Sequence, residues 1–489
     1  MDAEAPDTRR RRLRLPSTDV VICAMLVAGT LTTLFVRMFT HTLRLSVDDW
    51  AYTVWGQAIS DGRRPSVEYL LTAPKPLAYA LGTVVAPFQP GWGILVAIGI
   101  FGGVLVAAIA VAVRQQVGYL GVPIALGFLA WTTGFRYNTE RGSTDLVMAA
   151  LVVCALTVRG RWRVGLLMVA GLLRPEVWPL VAVAAFLEAR GTPVRRLAIG
   201  GFAGLVTPAI WWLTDFAANG QGFMFLVIAR RDGTFSGSAK PNLHKALRGF
   251  YDALSGSIGL LAIMLGIAGL ILQAVRAYRA GNLDPFPIMA AGILAVSVAA
   301  EIWQGLPPYP RYTTSLAGLL LVGTGWLVGA IPLRAEGWLA GAIAAGASVL
   351  MIGFAVVYHP IYYSYPGLAH LESSLPAIKT ARVCGTISVS GQRHRRNPIM
   401  STLSALGRMP LTTFSPIENQ AWRKSGVILR VKPPAAHGPL SAKTPWFVDA
   451  GSSWEWIRIS AGQLWLTEAC VQKGGLLRDA QTTPVHVGA

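Results

Sequence analysis

The pair Asp48-Asp49 follows, by about ten residues, an apolar run from about Val20 to Phe39 that is long enough to cross a bilayer, and it stands beside Trp50, an aromatic suited to the membrane interface. Five arginines, Arg9, Arg10, Arg11, Arg12 and Arg14, precede that run. Basic clusters stay in the cytoplasm, so the acid pair is expected on the opposite face. Threading the chain onward from there, the same face collects Glu68 and Lys75, the Glu140-Arg141 turn, Arg174 with Glu176, a basic loop holding Arg230, Arg231, Lys240 and His244, and Arg311 with Tyr312. Carboxylates ringed by cations at an aqueous surface suit one kind of chemistry. A base takes the proton of an acceptor hydroxyl while Lys and Arg stabilise negative charge on a departing phosphate. A lipid phosphate fits such a place, with its tail between helices and its headgroup at the interface.

The elements that must position these residues are hydrophobic segments, about eleven in all. They lie at about 20–39, 76–88, 92–113, 119–135, 144–158, 164–189, 197–213, 256–275, 287–303, 315–333 and 337–357. Trp50 to Ile59 reads as an amphipathic helix along the interface. In Ala73-Pro74-Lys75-Pro76-Leu77 two prolines bracket a lysine and fix the direction of the chain as it re-enters the bilayer. Counting every run as a full crossing puts the basic turn from Arg159 to Arg163 outside, against the charge rule. The run at 76–88 is too short for a core of about 30 Å, so one early segment is expected to be a half-helix or re-entrant. Arg174-Pro175-Glu176 interrupts the run at 164–189, which favours two short helices meeting near the outer face. The polar loop after residue 213, about 40 residues long, is long enough to be functional.

Composition agrees with a polytopic α-helical membrane protein. Of 489 residues 53% are hydrophobic and 14% charged, well short of the roughly 25% charged residues of soluble domains. The net charge of +19 sits largely in short clusters between apolar runs, where topology and anionic lipid account for it, so nucleic acid is not an expected partner. No metal-ligand spacing, P-loop, GxSxG or dinucleotide fingerprint stands in a supporting context, and neither a metal nor a cofactor is expected.

The divisions that follow are a basic cytoplasmic tail (1–18), a transmembrane catalytic domain (19–358) and a β-rich extracytoplasmic C-terminal domain (359–489). In that last part Val383 to Ser390, Val427 to Val431, Trp446 to Asp449, Trp456 to Ile459 and Leu464 to Thr467 are short, β-branched and aromatic, and separated by Gly, Pro and Ser. Cys384 and Cys470 are its only cysteines and are free to pair in an oxidising compartment, whereas Cys23 and Cys154 lie in apolar runs and read as small core residues. Trp454 and Trp456, two apart on a strand, share one face, suited to core packing or to stacking on a sugar.

The basic start, the single span, the outer Asp-Asp pair, the Pro-Lys-Pro-Leu re-entry, the Leu172-Leu173-Arg174-Pro175-Glu176 break and the late Pro310-Arg311-Tyr312-Thr313 segment together resemble the GT-C superfamily of integral-membrane glycosyltransferases, over roughly residues 1–330. The resemblance implies a polyprenyl-phosphate sugar donor, a glycan or glycolipid acceptor, inversion at the anomeric carbon and, for most members, no metal. Carried over motif by motif, it implies Asp48 as general base with Asp49 as neighbour or substitute. It further implies Lys75, Arg311 and one or more of Arg230, Arg231, Lys240 and His244 at the donor phosphate, with Glu68, Glu140, Arg141, Arg174, Glu176 and Tyr312 in support. The abundance of Arg, Ala and Gly points loosely to an actinobacterial-type envelope enzyme of the mannose or arabinose class.

Plainer readings stand beside these. The acid pair also fits a solvated helix cap, Arg311 an interfacial snorkel, Arg174-Pro175-Glu176 an ion pair at a kink, and the basic loop a lipid-binding surface. Broken helices and buried charges also mark transporters, so a flippase of lipid-linked sugars is the alternative activity, and a non-catalytic scaffold of envelope assembly is a third.

Overall fold

The structure, a computed structural model, describes residues 23–24, 26–31, 47–65, 75–88, 90–118, 121–131, 135, 143–224, 226, 243–281, 285–304, 313–330, 368–390, 400, 403, 407, 409, 414–416, 427–431, 454–459, 462–467, 469–470, 472 and 482–485. The run at 337–357, the segment Trp446 to Asp449 and most of the run at 20–39 lie outside these residues.

The chain enters helix α1, Val47–Ser60, and after Lys75 the short helix α2, Pro76–Val85. Lys75 has extended backbone, φ −137° and ψ 125°, because the residue before a proline is pushed out of the helical region, and Pro76 then starts α2 without needing its missing N–H. At 10 residues α2 is about 15 Å long, half a bilayer core, which is the length expected of a half-crossing.

Helix α1 departs from expectation. Instead of presenting one polar face to solvent, every residue from Ala51 to Ala58 is buried. The cause is a backbone-to-backbone crossing with α2. A Cβ placed on Gly56 would fall 2.0 Å from the carbonyl carbon of Gly82, and one on Gly82 would fall 2.1 Å from the carbonyl oxygen of Tyr52. With no side chains at the crossing the helices close fully, and Trp55, 5.1 Å from the ring of Tyr79 and 5.7 Å from that of Tyr52, fills the space beside them.

Helices α3 (Pro90–Val117), α4 (Gly121–Trp131) and α5 (Thr144–Thr157) follow, then α6 (Arg161–Gly171), a 3-10 turn at Pro175–Val177 and α7 (Trp178–Glu188). The expected break at Arg174-Pro175-Glu176 is therefore present, with α6 and α7 at 11 residues each. Arg163 is folded inward from the basic turn, donating from Nε to Ala155 O at 3.2 Å and pairing with Glu188, so it ties the end of α5 to the end of α7.

Helix α8 (Pro193–Asn219) runs beyond the expected end at 213, and α9 (Leu243–Ile258) occupies much of the supposed 40-residue loop, leaving 220–242 as the connection. In α9 Phe250, Leu254 and Ile258 are buried on one face while His244, Arg248 and Asp252 stand exposed on another, the i, i+4 pattern of a helix with one dry side. Helices α10 (Leu260–Arg279), α11 (Pro285–Gln304) and α12 (Thr314–Gly329) complete the set. Helices α5 and α12 are buried over nearly their whole length, and α12 packs on α3, α4, α5 and α10. Gly266 and Gly269 of α10 meet Gly323 of α12 so closely that a Cβ on Gly269 would lie 1.8 Å from Gly323 O. Phe202, Leu205, Leu261 and Met264 are exposed on the outside, as suits helices bathed in lipid. Val96–Val117, Pro193–Asn219 and Leu260–Arg279 are long and apolar enough to cross a membrane.

After residue 368 comes helix α13 (Leu368–Ala381) and strands β1 (Ile387–Ser390), β2 (Phe414–Pro416), β3 (Val427–Val431), β4 (Trp454–Ile459), β5 (Gly462–Thr467) and β6 (Thr482–Val485). Among the described residues they form one sheet in the order β2-β1-β3-β5-β4-β6, with β1 parallel to both neighbours and the remainder antiparallel. The strand expected from Val383 begins only at Ile387, because Arg382–Cys384 is a 3-10 turn. The register sets Trp456 opposite Trp465.

Cys384 and Cys470 are bonded to each other across 86 residues, and Cys23 and Cys154 are free and half-buried. Closing so long a loop removes about 4–5 kcal/mol of chain entropy from the unfolded state on the loop-entropy account. Cys384→Ser is accordingly expected to expose this region to trypsin at markedly lower urea than the oxidised wild type, and reductant is expected to have the same effect on wild type and none on the variant.

Candidate active site

Asp48 and Asp49 occupy the second and third positions of α1, where a carboxylate also favours the positive end of the helix dipole. Tyr52 follows one turn on, four residues after Asp48 and three after Asp49. The ammonium of Lys75 lies 5.5 Å from the centre of the Tyr52 ring. Lys75 is only 8% exposed, which for a lysine requires partners rather than solvent. The crossing at Gly56 and Gly82 thus sets the cation that opens α2 against the helix that carries the acid pair.

A second junction joins the re-entry to the helix break. The N–H of Leu77 donates to the carbonyl of Leu172 at 3.3 Å, and the two chains run on from there to Lys75 on one side and Arg174 on the other. Arg174, like Lys75, precedes a proline and is extended, with φ −146° and ψ 123°. Its guanidinium turns to Asp145, donating from Nε to Oδ1 at 2.8 Å and pairing with the same oxygen through Nη2. Asp145 is buried in the first turn of α5. Ser143 caps that helix, accepting from the Asp145 N–H at 3.3 Å and donating its hydroxyl to Asp145 Oδ2 at 3.3 Å. The ion pair expected at the kink therefore exists, but its acid is Asp145. Glu176 has a different position: its Oε2 is buried and accepts no hydrogen bond among the described residues.

The far side of α2 is held by α8. Asn219 Nδ2 donates to the Tyr79 hydroxyl at 3.5 Å, and fully buried Asp215 accepts from the Met224 N–H at 2.8 Å. Trp178, at the start of α7, donates its indole N–H to Gly171 O at 2.9 Å, meets Trp211 edge-on at 5.7 Å and lies 6.1 Å from Phe223. Phe223 itself has φ +53°, a left-handed conformation unusual for an aromatic, held between the Trp178 contact and the Asp215 bond next door. These contacts fix the start of the connection that leads to Arg230 and Arg231.

Of the residues expected at the site, Lys75 and Arg174 each stand two residues from the Leu77–Leu172 hydrogen bond that joins α2 to the α6–α7 break, and Glu176 follows Arg174 by two. His244 stands exposed in the first turn of α9, a helix that packs on α4, α10, α11 and α12. Glu68, Glu140, Arg141, Arg230, Arg231, Lys240, Arg311 and Tyr312 lie outside the described residues. Asp145, Asp215, Asn219, Tyr79 and Trp178 carry structure here that sequence reasoning missed. A signal for Asp145 existed, since Ser143 begins a capped helix with an acid in its first turn, and a buried Arg174 demands a carboxylate somewhere. Among the described residues no group of three or more His, Cys, Asp and Glu is placed to hold a metal ion.

No protein-family model matches the chain, and no curated protein matches it in sequence. Among solved structures it is similar to ArnT from Cupriavidus metallidurans in the apo state, with TM-score 0.49 and 13% identity over 92% of this chain and 98% of that one. It is also similar to the archaeal oligosaccharyltransferase AglB from Archaeoglobus fulgidus, in complex with an inhibitory peptide and a dolichol-phosphate, with TM-score 0.45 and 11% identity over 96% of this chain and 76% of that one. At these identities and TM-scores the likeness assigns no residue of this chain a role.

Proposed function

We propose that the chain is an inverting membrane glycosyltransferase that moves a sugar, of the mannose or arabinose class, from a polyprenyl-phosphate donor to an extracytoplasmic glycan or glycolipid acceptor. The observation that carries this reading is the junction itself. Two proline-broken segments, each opening on a buried or half-buried cation, are tied by the Leu77–Leu172 hydrogen bond, and α1 with its acid pair is closed onto the first of them. Irregular backbone and cations amid apolar helices are expensive unless they serve a polar ligand.

In this reading Asp48 accepts the proton of the acceptor hydroxyl as that oxygen attacks the anomeric carbon. The bond from that carbon to the phosphate oxygen breaks, and polyprenyl phosphate departs with the electron pair. Lys75, assisted by Arg311 and by cations of the 220–242 connection and His244, neutralises the phosphate as it leaves. The acid pair and the tail from residue 359 stand on the extracytoplasmic side, which the Cys384–Cys470 bond favours, and the arginine-rich start stands in the cytoplasm.

The test uses purified protein in proteoliposomes loaded with decaprenyl-phosphate mannose or arabinose labelled in the sugar, together with an envelope glycan extract as acceptor. The expected result is label in the acceptor with release of one decaprenyl phosphate per sugar moved. Passage of intact donor to the other leaflet without such release would overturn the reading and leave the transporter in its place, to which the half-length α2, α6 and α7 are also suited.

A further inference from the structure

Asp145 has no part in the mechanism so far, and neither does the geometry it imposes. Its carboxylate is nearly sealed, with the side chain 3% exposed, and the contacts of Ser143 and Arg174 converge on it. Ser143 takes Oδ2, and the guanidinium of Arg174 lies with both Nε and Nη2 on Oδ1. Two donors on one oxygen hold the plane of the guanidinium as well as its position, which a lysine at 174 would not allow.

What Arg174 is being held toward follows from the backbone. Lys75 and Arg174 are each two residues from the Leu77–Leu172 hydrogen bond, so their Cα atoms stand no more than about 20 Å apart, a span that two long basic side chains can bridge with a phosphate between them. The buried Glu176 Oε2, without a hydrogen-bond partner among the described residues, lies two residues further on. A buried acceptor left unmatched two residues from the Arg174–Asp145 pair is an independent sign that a polar ligand completes this place, because such atoms are rarely left unpaired in a finished fold.

We infer that Arg174 is a second ligand of the donor phosphate beside Lys75, and that Asp145 is the positioning residue that presents its guanidinium there. This rests on the glycosyltransferase reading and adds to it a bidentate, plane-fixed anion contact on the α6–α7 break. Glu176 then accepts a hydroxyl of the donor sugar.

The experiment measures retention of radiolabelled decaprenyl phosphate by purified wild type, Asp145→Asn, Asp145→Glu, Arg174→Gln, Arg174→Lys and the double variant Asp145→Asn/Arg174→Gln. Donor and acceptor KM, kcat and melting temperature are recorded for each. Asp145→Asn and Arg174→Gln are expected to weaken retention about tenfold and to raise donor KM in step, with acceptor KM unchanged, and the double variant is expected to be no weaker than Arg174→Gln alone. Asp145→Glu is expected to recover part of the loss. Should Asp145→Asn fail to fold, Arg174→Lys decides, since it keeps the charge for Asp145 but loses the planar fork and is expected to show the same rise in donor KM. A lowered melting temperature with unchanged retention and donor KM in the folded variants overturns the inference and leaves a purely structural clamp. A wild-type protein that retains no decaprenyl phosphate removes the glycosyltransferase reading, and the inference with it.

Discussion

Asp48→Asn is expected to lower sugar transfer by about 10²–10⁴-fold, the range usual for loss of a positioned general base, while decaprenyl phosphate still binds. Asparagine keeps the shape and the helix-start position of the aspartate but cannot take a proton. The neighbouring Asp49→Asn serves as the internal comparison. Tyr52 is three residues after Asp49 and four after Asp48, so both positions stand about one helical turn before it. Asp48 is the base in the proposed mechanism, so the larger loss is expected there. Measured at matched expression, a loss confined to Asp49→Asn would reassign the base, and normal transfer by both variants would make the pair a helix-start device only.

The second large effect is expected from a residue that touches no substrate. Gly82→Val puts a branched side chain where a single Cβ already comes within 2.1 Å of the Tyr52 carbonyl oxygen. The obstacle is backbone, not the end of a flexible side chain, so α1 and α2 must part. Overpacking in a closed core costs about 1–3 kcal/mol or more, and displacement of α1 by even about 1 Å would carry the acid pair out of line with Lys75, enough for a loss of order 10²-fold in transfer. Gly56→Ala, whose Cβ would meet Gly82 C at 2.0 Å, is expected to behave alike. The contrast is Gly127→Ala in α4, where a Cβ meets nothing within 4 Å; stability there is expected to be unchanged or raised by up to about 1 kcal/mol. Melting temperature and transfer rate of the detergent-purified variants check both statements. Equal behaviour of Gly82→Val and Gly127→Ala would show that the crossing is not needed.

The breaks in the chain were legible in the chain itself. Proline before and after Lys75 marked a change of chain direction and Arg174-Pro175-Glu176 a break into two short helices, and the chain starts a new helix after Lys75 and breaks after Arg174. The 13-residue run at 76–88 was too short to span, and the structure contains a 10-residue helix there. The placement of α1 was not legible. Its residues alternate polar and aromatic in a way that suits an interface, and only the approach of Gly82 from another segment makes the whole of Ala51 to Ala58 interior. The partner of Arg174 was likewise hidden, because it lies 29 residues earlier in sequence while Glu176 lies two residues away and competed for the same role.

By itself, then, the sequence determined the membrane class, the half-length segments and the positions of the breaks. These depend on hydropathy, on charge and on proline geometry, all of which act within a few residues along the chain. Only the tertiary structure decided which charges face each other, which carboxylate holds Arg174, and that a helix written as interfacial is enclosed. Those outcomes turn on the closeness of backbones from distant segments, set by glycines at Gly56 and Gly82 and by the single hydrogen bond from Leu77 to Leu172. A contact of that kind leaves no periodic trace in either segment alone.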